Sequence, residues 1–79
     1  MITFIYENSR WVAENKGIMY YLDMQNPITL TLDYKDKKKP KSFECEDIYK
    51  AINKIFEFTD HVPRFKSSDE LGTTTNYML

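Results

Sequence analysis

The chain has 79 residues, with 11 Lys plus Arg against 12 Asp plus Glu, one His, one Cys and a formal net charge of −1. A chain of this length forms one small domain that buries only about 60% of the surface its unfolded form exposes, so there is one modest core and no room for a deep, enclosed cofactor site. No run of 18 apolar residues occurs, residues 1–7 lack the basic start and long apolar stretch of a signal peptide, and Cys45 has no second cysteine to pair with. The expectation is a cytoplasmic protein with no membrane partner, no disulfide framework and no cofactor.

Twelve Phe, Tyr and Trp side chains in a chain with two glycines must dominate both core and interfaces. Ile2-Thr3-Phe4-Ile5-Tyr6 reads as a strand, and the polar Glu7-Asn8-Ser9-Arg10 as a turn. Trp11-Val12-Ala13 is a second short apolar piece, and Asn15-Lys16-Gly17 supplies the left-handed glycine of a three-residue hairpin connection. The return strand, Ile18 to Met24, places Ile18, Tyr20, Leu22 and Met24 on one face and Met19, Tyr21 and Asp23 on the other. Asn26-Pro27 interrupts the pattern. Ile28 to Lys35 then alternates without a fault, aiming Ile28, Leu30, Leu32 and Tyr34 at the core.

Residues 35–41 form a lysine-rich loop that no regular element is expected to cross. From Cys45 the period changes, with Ile48, Ala51, Ile52, Ile55, Phe56 and Thr59 recurring at three- and four-residue steps and Tyr49 beside them. Glu46 and Asp47 suit the positive end of that helix. His61 to Phe65 reads as a short edge strand, and residues 66–79 as a polar tail, disordered or docked through Tyr77-Met78-Leu79. The expected fold is α+β: a small antiparallel β-meander of three or four strands over residues 1–65, with one amphipathic helix on one face and the other face open.

Catalysis is not expected. Cys45 and His61, the one nucleophile and base pair on offer, lie at opposite ends of the helix, about 24 Å apart at 1.5 Å per residue. One His and one Cys cannot build a zinc site, the acidic cluster Glu44, Glu46, Asp47 lacks a calcium-loop pattern, and Gly17 and Gly72 alone cannot form a phosphate-cradling loop. The lysine loop carries five positive charges and one negative, which suits a phosphate-binding tip or a solvated turn that deters edge pairing. A pI near 5.7 weighs against a dedicated nucleic-acid binder.

The aromatic excess on a half-covered sheet is the stronger functional signal, because Tyr, Trp, Met and Arg enrich interface centres. The expected contact set is Arg10, Trp11, Met19 and Tyr21 as anchors, with Lys37, Lys38 and Lys39 steering or pairing with an acidic rim. On that reading Trp11→Ala weakens binding by more than about 2 kcal/mol without unfolding the domain. In size and Lys/Asn/Ile/Tyr-rich character the chain looks like the small one-domain proteins that bacteriophages and mobile elements encode to block host machinery, anti-CRISPR and other anti-defence inhibitors included. That likeness carries no motif and transfers no residue. The expected function is a non-enzymatic module, an inhibitor or adaptor, that occupies a surface of a larger host protein or nucleoprotein complex, as a monomer or homodimer. The alternatives are a single-stranded nucleic-acid binder using the lysines with Tyr20, Tyr21 or Tyr34, and a homodimeric structural subunit joined through sheet edges or the open face.

Overall fold

The structure, a computed structural model, describes residues 1–36 and 39–67. The elements run β1 (Thr3–Glu7), β2 (Arg10–Asn15), β3 (Ile18–Asp23), β4 (Ile28–Tyr34), β5 (Lys41–Cys45), α1 (Ile48–Thr59) and β6 (Arg64–Ser67). The six strands make one mixed sheet in the order β5-β4-β3-β2-β1-β6. Strands β1 to β5 are an antiparallel meander, and α1 carries the chain back so that β6 pairs in parallel with β1 at the far edge.

The α+β class stands, but three or four strands become six. The missed strand is β5, which follows the lysine tract directly and shows only Phe43 and Cys45 as inward apolar positions. Its residues carry too little apolar content to stand out from the loop; pairing with the strongly alternating β4 organises them. The parallel pairing of β6 is equally non-local, since it joins Thr3–Tyr6 to Arg64–Ser67 from the two ends of the described chain. Strand β6 starts after Pro63, and its Arg64 N–H donates to Ile2 O at 2.9 Å. Residues 66 and 67 therefore belong to the sheet, while the tail reading for 68–79 lies outside the described residues.

The β1–β2 and β2–β3 connections have two residues each. Asn8 and Ser9 have φ of 53° and 67°, Lys16 and Gly17 of 52° and 80°, the positive φ pair that a type I′ turn requires. Asn15 pairs with Ile18, so the connection there is shorter than the three-residue loop expected. The I′ geometry matches the right-handed strand twist and fixes the register on each side.

Helix α1 is capped at both ends. Asp47 Oδ1 accepts from the Lys50 N–H at 2.9 Å, and Asp60, in the left-handed region, donates its N–H to Phe56 O at 2.8 Å. The buried Thr59 hydroxyl donates to Ile55 O at 2.8 Å and accepts the His61 N–H at 3.1 Å, which sets the exit of the chain toward β6. Ala51, Ile55 and Thr59 form the buried stripe, flanked by the partly buried Ile48. Phe56, expected in that stripe, is 46% exposed: it lies about 100° around the helix from Ile55, beyond the arc the sheet covers.

The core is one cluster that includes Phe4, Ala13, Tyr20, Leu22, Leu30 and Leu32 from the sheet, Ala51 and Ile55 from α1, and Phe65 from β6. The Phe65 ring stacks on Phe4 with centroids 5.3 Å apart, so the parallel edge strand is held by an aromatic pair as well as by its ladder.

Candidate interaction surface

Side chains paired across neighbouring strands leave the sheet on the same face, so the register assigns each anchor to a side. Tyr6 pairs with Trp11, Trp11 with Leu22, Leu22 with Leu30 and Leu30 with Phe43. This row includes the fully buried Leu22 and Leu30 and belongs to the helix side. Trp11 meets Tyr6 at 5.0 Å and the edge of Phe65 at 5.2 Å between centroids, and packs against the core cluster.

The next row belongs to the opposite face: Lys66, Ile5, Val12, Tyr21, Thr31 and Ser42. Beside it, Met19 stands between Glu14 and Asp33. Ile5, Val12, Met19 and Tyr21 are half-buried by their neighbours, and no element among the described residues packs over them. The result is a small apolar strip on an open sheet face.

Arg10 is built into one end of that strip. Its Nε and Nη2 donate side-on to the two carboxylate oxygens of Asp23 at 3.2 and 2.8 Å, and its guanidinium carbon lies 4.6 Å from the Tyr21 ring centroid. The hydrogen bond to Asp23 raises the already high pKa of the guanidinium against the opposing effect of burial, so this cation is permanent. Two hydrogen bonds and a ring face hold a long side chain that would otherwise sample many rotamers, which lowers the entropy a partner must remove. Lys35 to Glu14, at 3.3 Å, adds an exposed ion pair, and Thr31 and Ser42 share a hydroxyl bond at 3.2 Å. The open face thus has an apolar centre with a charged and hydroxylated margin.

The structure thus places Arg10, Met19 and Tyr21 on one face, with Arg10 over Tyr21, and Trp11 on the other. Of the three lysines, Lys39 is exposed; Lys37 and Lys38 lie outside the described residues. Among the tyrosines weighed for base stacking, Tyr20 is 1% exposed and Tyr34 shares its helix-side alternation, which leaves Tyr21 on the open face. Sequence reasoning missed Ile5 and Val12, although their alternation with Phe4 and Ala13 was a usable signal. Lys66 joins the patch only through the parallel pairing of β6 with β1, for which the sequence held no local cue.

Cys45 is buried, with its thiol 3.8 Å from Phe43 O, and burial pushes its pKa up, away from the thiolate a nucleophile needs. Among the described residues no three His, Cys, Asp or Glu side chains gather as a metal-binding group, and no helix is long and apolar enough to cross a membrane. No family model matches the chain, and no curated protein or solved structure is significantly similar to it.

Proposed function

We propose that this chain is a binding module that acts by occupying a surface of a partner protein, with the open sheet face as its contact surface. The observation that carries this reading is the pre-positioned Arg10, pinned by Asp23 and laid over Tyr21, at the margin of the apolar strip Ile5, Val12, Tyr21 and Met19. Anchors of this kind, an aromatic, a methionine and an oriented arginine, are the residue types that dominate binding energy at interface centres. The strip selects a partner with an apolar patch, and Arg10 selects a carboxylate or carbonyl acceptor placed beside it. Lys39, exposed at the far end of the sheet, contributes to encounter with an acidic partner rather than to the contact itself. An inhibitory or adaptor role follows if the covered surface is one the partner needs; the block of a phage-type or other host target is one form of it.

The test is capture from lysate of the cells that encode the protein, with and without nuclease, using the wild type and Tyr21→Ala side by side. A stoichiometric protein retained after nuclease and lost with Tyr21→Ala supports the reading. Partners that vanish with nuclease, with binding falling steeply as salt rises, favour nucleic acid and refute it.

A further inference from the structure

Strand β5 is the edge of the sheet, paired with β4 on one side and with no strand on the other among the described residues. An exposed edge offers a row of backbone donors and acceptors to any strand of matching pattern. Lysine on an edge normally deters such pairing. Here the charges are sorted by sign along the strand: Lys39 and Lys41 stand at its start, and Glu44, Glu46 and Asp47 at its end, all exposed. Antiparallel pairing of this strand with itself about its centre sets the basic start of one copy alongside the acidic end of the other twice, with Lys39 across from Asp47 and Lys41 across from Cys45, so no lysine is set against a lysine as on a uniformly basic edge.

The central residue of the strand, Phe43, is apolar and self-matching. Phe43 projects to the helix side, where its ring meets Phe58 at 5.6 Å and Lys54 Nζ lies 5.1 Å from its centroid. Phe58 is 42% exposed, and Lys54 is paired with Glu57 at 3.6 Å. A two-fold axis normal to the sheet at Phe43 preserves both faces, places Phe43 opposite Phe43 of the second copy and brings the two Phe43–Phe58 pairs together. Glu44 then faces Ser42 across the seam on the open side. The other edge fails the same test: β6 presents Arg64 and Lys66 on one face, and antiparallel self-pairing would oppose like charges.

We propose that the β5 edge is a self-association surface, and that two copies join antiparallel about Phe43 into one continuous twelve-stranded sheet with both helices on the same side. A five-residue strand edge with one helix flank is a small contact, so the dimer is expected to exchange reversibly with monomer. The open face stays accessible in the dimer, so this inference does not depend on the binding role of Arg10 and Tyr21.

Sedimentation velocity on the full chain across the micromolar range tests it, with two variants at the exposed Ser42, Ser42→Lys and Ser42→Glu, each of which sets a charge against Glu44 of the second copy. The wild type is expected to show reversible monomer–dimer exchange. Ser42→Lys, which places an opposite charge across from Glu44 twice, is expected to dimerise at least about tenfold more tightly, and Ser42→Glu, which places a like charge there, at least about tenfold more weakly. In the unaltered chain, amide exchange at Ser42–Cys45 is expected to slow as concentration rises, a readout that needs no variant. A wild type that stays monomeric throughout, Ser42 variants that dimerise like the wild type, or open-ended polymers from β5 joining β6 would each overturn the proposal.

Discussion

Substituting Trp11 and Tyr21 in parallel separates the two faces of the sheet. Trp11 packs against the core cluster and loses, on truncation to alanine, two aromatic contacts worth about 0.5–1.5 kcal/mol each beyond area burial. A fully buried Trp→Ala change costs about 3–5 kcal/mol, and Trp11 is partly buried, so about 3 kcal/mol is expected. Tyr21→Ala removes a half-exposed cation–π contact of about 0.5–1 kcal/mol and part of a cross-strand pair, for a total of about 1 kcal/mol. A 79-residue domain has about 4–12 kcal/mol of stability in all. Trp11→Ala should therefore lower the melting temperature by about 12–24 °C, and Tyr21→Ala by about 4–8 °C. Urea and thermal unfolding followed by far-ultraviolet circular dichroism measure both. Equal costs, or a larger cost for Tyr21→Ala, would refute the assignment of Trp11 to the helix side.

Three further outcomes are expected. Asp47→Ala removes the cap that accepts the Lys50 N–H and should cost about 1 kcal/mol in urea unfolding. Gly17→Ala should cost about 1–2 kcal/mol through the backbone alone, because φ is +80° and a Cβ there would meet nothing within 4 Å; a neutral result would contradict the I′ turn. Burial raises the pKa of the Cys45 thiol, and burial with help from Tyr34 raises that of the Tyr20 phenol. The folded state thus holds both protons more tightly than the unfolded chain. That stability is fully present below the unfolded values of about 8.5 and 10 and is lost as pH rises through the higher folded ones, so the urea midpoint should fall between neutral pH and about pH 11. Cys45→Ala should remove the earlier part of the decline.

The parts of the fold that were legible in the sequence are those set by local pattern. The faultless alternation of Ile28 to Tyr34 and the 3.6-residue recurrence of Ile48, Ala51, Ile55 and Thr59 each specify an element and its buried face. Strand β5 was hidden because Lys41-Ser42-Phe43-Glu44-Cys45 has one large apolar residue and becomes a strand through β4. The face on which Trp11 lies is hidden for a related reason. Residue type pointed to an interface, while its placement depends on pairing with Tyr6 and Leu22, and a shift of one residue in that register would reverse the faces. The same register, once known, assembles the patch: Arg10 next to Asp23, Tyr21 beneath the guanidinium, and Lys66 at the edge through a parallel pairing with β1 that is distant in sequence.

The most direct measurement is the affinity of the captured protein for three forms of the chain by calorimetry: wild type, Tyr21→Ala, and Tyr49→Ala. Tyr49 is 67% exposed on the helix and gives a control on the opposite face. If the open sheet face is the contact surface, Tyr21→Ala should weaken binding by about thirtyfold or more, the mark of an interface anchor, while Tyr49→Ala leaves it unchanged. Loss of binding with Tyr49→Ala and full retention with Tyr21→Ala would contradict the sheet-face reading and move the contact to the helix.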